Sequence, residues 1–330
     1  MRRLAPLAAV IGAGLAIGAP FVLGGTAVLG NLRAVPLQMF VTLACLSLAS
    51  SIAKAGKLQI LMGSLGQRLP FLRTIAITLA SDFAFLSSPA GAAGYVTTVV
   101  LLQKTGATWA VSTAVLGAEQ ALDLLFFAIT IPVATICGLA PLRHLAPTLP
   151  QSAGMIVIAA ALLAGFGLWW GRHAVVAALR RAVDSVSRIR ARREQFGAFI
   201  ATLRKQAGIL IKGSPKRSAA LILLTTLQWI PRYGVLWLVL RDFGYRVPFG
   251  FVLIAQVVIL HLAQWTGIPA GGGSADVGLA AALASWAANP AMATVLLLWR
   301  FSTLYFPLAV GAISLATLTG KRKTRAIAAS

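Results

Sequence analysis

Six charged residues stand where charge is expensive. Asp82, Glu119, Asp123, Arg232, Asp276 and Arg300 all fall inside long apolar stretches. A charge at the centre of a membrane helix costs about 2.5–3.5 kcal/mol on insertion scales, so six unpaired ones would cost about 15–20 kcal/mol. Such residues must face a protein interior or a water-filled cavity, where they pair, hold a proton or meet a ligand. Glu119 and Asp123 are four apart and share one helix face. Two neighbouring buried carboxylates resist double ionisation, and a proton held by one of them would suit proton coupling. Pairing with Arg300 or Arg232 as structural glue is the competing reading. Glu119 and Arg300 lie at nearly equal distances beyond Pro89 and Pro269. We therefore expect a carboxylate and a guanidinium to meet near an axis relating two halves.

The second chemical signal is a pair of breaks in apolar segments. One reads Ser87-Ser88-Pro89-Ala90-Gly91-Ala92-Ala93-Gly94, the other Gly267-Ile268-Pro269-Ala270-Gly271-Gly272-Gly273-Ser274. Backbone broken inside hydrocarbon must find partners in protein or in a wet cavity. Half-helices beginning near Gly94 and Asp276 would present free N–H groups, and such termini bind anions. Glycine can also simply let helices approach closely. Beside the breaks, Tyr95 is a candidate cavity residue, and His261 is expected to hydrogen-bond within its helix, with a proton relay as the alternative. No metal-ligand cluster, nucleophile motif or nucleotide loop is visible. No catalytic residue, metal or cofactor is therefore expected, and the chain is not read as an enzyme.

These residues are positioned by apolar helices. Of 330 residues, 58% are hydrophobic and 11% charged, against about 25% charged in soluble domains. Several stretches reach the roughly 20 residues that cross a bilayer as a helix, and they are too uniformly apolar for barrel strands. The net charge of +22 is explained by basic residues between apolar stretches, so nucleic acid is not expected as a partner. Cys45 and Cys137 lie apart and form no disulfide or zinc pattern. Arg2-Arg3 and the apolar run behind them resemble a signal peptide, but the run is long enough for an uncleaved helix.

Helices are expected at about 4–29, 36–53, 108–139, 152–171, 218–240 and 290–318, with interrupted stretches at 71–103 and 249–288. Residues 54–70 read as a basic connector. Residues 172–217 hold twelve Lys or Arg against Asp184 and Glu194 and read either as a basic amphipathic segment on the cytoplasmic leaflet or as a solvated loop that sets orientation. The positive-inside rule places the N-terminus, the 54–73 connector, the 172–217 segment and the tail in the cytoplasm. That parity works only if each interrupted stretch returns to the side it entered. The expected fold is an all-α integral membrane protein: one helical bundle of two inverted-topology repeats, 36–139 and 218–318, each with a Pro/Gly-broken re-entrant hairpin. Such architecture points to alternating access around a midplane site.

The chain resembles the flippase-like membrane region of lysylphosphatidylglycerol synthases and their stand-alone relatives. The resemblance runs over roughly residues 35–318. It is carried by Pro89-Ala90-Gly91, Gly106 and the acidic pair in Ala118-Glu119-Gln120-Ala121-Leu122-Asp123. In the second half it is carried by Pro269-Ala270-Gly271-Gly272-Gly273, Asp276, Trp299-Arg300-Phe301-Ser302-Thr303-Leu304-Tyr305-Phe306-Pro307 and Gly311. Gln120 stands where the family usually has arginine, and Asp276 where glutamate is usual. The resemblance implies movement of lipid between leaflets of a bacterial inner membrane. A synthase domain is not expected in this chain.

The leading expectation is a flippase for an anionic or modified lipid. The glycines at the breaks would cradle the headgroup, and Glu119, Asp123, Asp276, Arg232 and Arg300 would supply charge pairing or proton coupling. A non-transporting partner of a lipid-modifying enzyme and a membrane enzyme acting on lipid are the alternatives. A homo-oligomer is compatible with either.

Overall fold

In the computed structural model, the described residues are 14, 18–22, 24–145, 201, 214–286 and 289–327. The expected helix at 152–171, nearly all of the 172–217 segment, most of the first helix and the side chains of the tail lie outside them. The described residues form helices and turns, with no strand among them. In chain order the helices are α1 (Ala27–Ala34), α2 (Leu37–Ser64), α3 (Phe71–Leu86), α4 (Ala92–Gln103), α5 (Trp109–Leu145), α6 (Pro215–Asp242), α7 (Phe249–Trp265), α8 (Ser274–Leu283), α9 (Asn289–Arg300) and α10 (Phe306–Ile327). Four segments are long and apolar enough to cross a membrane: Leu37–Ser64, Trp109–Thr135, Pro215–Asp242 and Ala291–Gly320, the last running from α9 into α10.

One order of elements occurs twice. A long helix (α2, α6) ends at a glycine with positive φ, 76° at Gly66 and 84° at Gly244, the left-handed close that glycine makes at least cost. Each glycine opens a matching connector, Gly66-Gln67-Arg68-Leu69-Pro70-Phe71 and Gly244-Tyr245-Arg246-Val247-Pro248-Phe249. Each proline leads into a shorter helix (α3, α7), and then comes a Pro-Ala-Gly turn. At the turns Ala90 has φ 52° and ψ 17°, and Ala270 has φ 53° and ψ 18°. A left-handed alanine costs about 1–2 kcal/mol, so the same unfavourable conformation is held at both breaks. A short helix follows (α4, α8), packed back on α3 or α7, and the two turns touch each other.

The packing gives each half a core. Leu58, Met62, Ile77, Leu102, Val111 and Val115 join α2 to α5. Leu236, Leu240, Val252, Leu279, Leu283, Leu296 and Trp299 join α6 to α9. The N-terminal part of α2 crosses over, and its Met39 and Leu43 enter the second core. Along their lengths α2 packs on α6, and α3 on α10.

Two expectations are corrected. The helix expected to stop at residue 53 runs to Ser64, so Lys54 and Lys57 belong to a helix and not to a connector. The reason is local: nothing breaks the helical run until the Gly63–Gly66 region, and both ammonium groups find carboxylates. The last helix is interrupted by a π turn at Phe301–Tyr305. Pro307 has no N–H to give the preceding turn, and a π turn is one way a helix absorbs that loss.

Gly311 fixes the contact of α10 with α3. An added Cβ would stand 2.5 Å from the Leu79 carbonyl oxygen and 2.7 Å from the Phe83 Cβ, and the backbone cannot retreat. Gly311→Ala should destabilise the protein by about 1–3 kcal/mol, as overpacking does. Gly63→Ala, with nothing within 4 Å, should be tolerated. Thermal unfolding of both variants in detergent checks the pair.

Candidate functional site

Five charged side chains meet between α2, α3 and α5. The Lys54 ammonium lies 2.6 Å from Asp82. The Lys57 ammonium lies 2.5 Å from Asp123 and 3.9 Å from Glu119. Lys57 is fully buried, at 0% exposure, so among the described residues these carboxylates, and not bulk water, face its charge. Asp123 also accepts a hydrogen bond from the Trp229 indole at 2.9 Å, which ties in α6. Glu119 is buried, and its Oε1 has no hydrogen-bond partner. Two ammonium groups thus face three carboxylates.

The second charged centre clamps the second break. The Arg300 guanidinium donates from Nε and Nη2 to the two Asp276 oxygens, at 2.8 and 2.7 Å. This is the two-pronged geometry that arginine offers a carboxylate. Its remaining donors reach the Ala270 and Gly271 carbonyls at 3.0 and 3.2 Å. Asp276 in turn accepts the Gly273 N–H at 3.0 Å and caps α8. One arginine therefore satisfies the carbonyls that the broken helix leaves open and neutralises the carboxylate that caps the next one. Trp299 supports it: the guanidinium carbon lies 4.7 Å from the indole ring centroid, and the indole N–H donates to Gln256 at 3.0 Å.

A cavity of about 330 Å³ lies between the two breaks. Its polar wall comes from α2 (Ser50, Ser51, Lys54), α6 (Gln228, Trp229, Arg232) and both charged centres, through Asp82, Asp123 and Arg300. Ala90, Gly91 and Ala270 bring the two turns to its edge. Tyr95 and Leu124 also line it and are 39% and 53% exposed, so its mouth lies on an apolar outer face.

A sequence model described as the lysylphosphatidylglycerol synthase TM region matches residues 9–311. The chain belongs to this family. It is also 23% identical over 261 residues to a UPF0104 membrane protein of Archaeoglobus fulgidus, a match covering 78% of this chain and 80% of that one.

The site residues expected from the sequence divide by position. Gly91, Asp123, Arg232 and Arg300 line the cavity, while Glu119 and Asp276 sit behind its wall. Gln120, at the family's usual arginine position, also faces the cavity. Pro89, Pro269, Gly271, Gly272 and Gly273 shape the breaks. The expected meeting of Glu119 with Arg300 does not occur: Arg300 is engaged by Asp276, and Glu119 faces Lys57. Equivalent places along two halves do not make contact when each half supplies a nearer partner.

At the start of each half-helix one N–H is already taken by a side chain. Asp276 caps α8, and the Ser88 hydroxyl accepts the Ala93 N–H at 3.1 Å near the start of α4. Gly94 is packed against α3, where a Cβ would stand 3.0 Å from the Ser81 carbonyl oxygen. His261 bonds the Val257 carbonyl at 2.6 Å, as expected of a helix histidine.

Sequence reasoning missed Lys54, Lys57, Ser51 and Gln228 as site residues. A signal existed for three of them. Ser47, Ser50, Ser51, Lys54 and Lys57 recur at helical spacing in an apolar run, which marks a polar stripe on one helix.

Breaking the Asp276–Arg300 pair from one side leaves an uncompensated buried charge. Asp276→Leu or Arg300→Met alone should lower stability by about 3–5 kcal/mol. The double variant should be more stable than either single one, because it removes both charges. Denaturant unfolding of the purified variants measures the order.

Proposed function

We propose that this protein moves a lipid between the leaflets of a cell's inner membrane, passing the headgroup through the cavity between the two breaks. The observation that carries the reading is a charged cavity at two helix breaks inside an otherwise apolar bundle. A purely structural bundle gains nothing from such a cavity, because charge in hydrocarbon is costly unless it meets a partner or ligand. The mouth edged by Tyr95 and Leu124 lets acyl chains stay outside while the headgroup enters.

In this proposal the two matched halves are inverted repeats, and α3–α4 and α7–α8 are re-entrant hairpins whose tips meet near mid-membrane. The repeated connector and the matched left-handed alanines support a duplicated unit. The termini lie in the cytoplasm. Glu119 is the proton site: it is buried, carries an oxygen without a hydrogen-bond partner and shares Lys57 with Asp123. Protonation of Glu119 would leave the Lys54, Lys57, Asp82 and Asp123 group balanced. No covalent step on the lipid is proposed.

The test is leaflet exchange of headgroup-labelled phospholipids in liposomes holding the purified protein. Wild type should exchange one lipid class. Arg300→Met and Lys57→Met should slow it by about tenfold or more, equivalent to losing about 1.4 kcal/mol of interaction. Glu119→Gln should make the rate insensitive to an imposed proton gradient. No exchange by correctly folded wild type would sink the transport reading and favour a non-transporting partner. Covalent turnover of the labelled lipid would favour an enzyme.

A further inference from the structure

The charges around the cavity are unevenly matched. Asp82 is held by Lys54, Asp123 by Lys57 and Trp229, and Asp276 by Arg300. Arg232 lines the same cavity, and among the described residues no carboxylate lies within ion-pair distance of it. It lies over a ring, the guanidinium carbon 5.9 Å from the Trp229 centroid. That leaves the guanidinium's N–H donors free to meet something else, and a planar fork of this kind matches phosphate oxygens.

Its neighbours are also unspent. Gln228 is one turn earlier on α6 and shares the face of Arg232. It is 4% exposed, and its side-chain oxygen has no hydrogen-bond partner. That oxygen is an acceptor left unpaired, which favours a ligand hydroxyl or a water that donates to it. Across from it, Ser51 on α2 is 8% exposed and lines the cavity. Ser50, by contrast, gives its hydroxyl proton to the Gln228 carbonyl at 2.7 Å. Behind Arg232 is a second space of about 10 Å³, walled by Ser47, Ser51, Ser302 and Thr303.

We propose that Arg232 and Ser51 form a phosphate-binding subsite in which the free Gln228 oxygen accepts from a hydroxyl of the same headgroup, and that the cavity takes a net-anionic phospholipid headgroup in preference to one bearing an ammonium group. The first part rests on the three unpaired polar groups. The second part rests on the transport reading above for its lipid, and on charge matching for its selectivity. Every carboxylate on the cavity wall already has a cationic partner, so an incoming ammonium group finds none to meet. It would instead be placed near Arg232 and Lys54, like charges that repel it.

Titration calorimetry of the purified full chain with dihexanoyl-phosphatidylglycerol, dihexanoyl-phosphatidylcholine and inorganic phosphate tests both parts. Phosphatidylglycerol should bind, and phosphatidylcholine should bind about tenfold more weakly or less. Arg232→Gln should weaken phosphatidylglycerol binding by about tenfold or more, the range for a charge-assisted hydrogen bond. Arg232→Lys should keep part of the affinity, and the exposed Lys104→Gln should bind like wild type. If Arg232→Gln does not fold, Ser51→Ala and Gln228→Leu carry the test, each with a several-fold loss.

Equal affinity for the two lipids would overturn the selectivity. Unchanged affinity in folded Arg232→Gln would overturn the subsite. Inorganic phosphate binding as tightly as phosphatidylglycerol, with the same dependence on Arg232, would uphold the subsite and overturn the lipid as its source. Lipid binding through Arg232 without leaflet exchange would uphold the subsite while the transport reading fails.

Discussion

Every carboxylate inside this bundle has to be answered from within the bundle, and that constraint organises the rest. Asp82 and Asp123 bind lysines of α2, and Asp276 binds Arg300 of α9. Buried pairs of this kind add little net stability, because desolvation offsets their attraction. Their effect is on alternatives. A packing that slid α2 against α3 and α5 would break the present set of pairs, and any charge left buried without a partner would cost several kcal/mol. The pairs thus select one register among apolar surfaces that would otherwise slide.

The same constraint explains why the two breaks differ despite their matched backbones. Both contain a left-handed alanine after proline. The second is held by Arg300, which takes the Ala270 and Gly271 carbonyls together with Asp276. The first relies on Ser88, whose hydroxyl accepts one N–H, and on Phe85 packed edge-on to Tyr95 with ring centroids 5.8 Å apart. One half carries a charged clamp and the other a neutral cap. The two sides of the cavity are therefore chemically distinct, and a polar ligand between them has a preferred orientation.

The helical lysines also change how orientation is argued. With Lys54 and Lys57 inside α2, the basic residues of the first connector region reduce to Arg68 and Arg73, both exposed. Arg246 occupies the matching connector of the second half and is exposed as well. The two connectors are therefore close to balanced in charge. The weight of the positive-inside argument moves to the 172–217 segment, where twelve basic residues face two acids.

The sequence by itself determined the class of molecule, the main apolar helices and the places where they break. These follow from composition, from runs long enough to cross a bilayer, and from Pro-Ala-Gly, signals that need no knowledge of neighbours. The motifs around Pro89, Glu119, Pro269 and Arg300 likewise carried the family. The tertiary structure alone decided the partners. Lys57 meets Asp123 across 66 residues, and Ser50 meets the Gln228 carbonyl across 178. Spacing along a helix says which side chains share a face, and it placed Glu119 with Asp123 correctly. It says nothing of which other face comes opposite, because that depends on how whole helices cross. Lys54 and Lys57 therefore read as loop charges in one dimension and become the centre of the site in three.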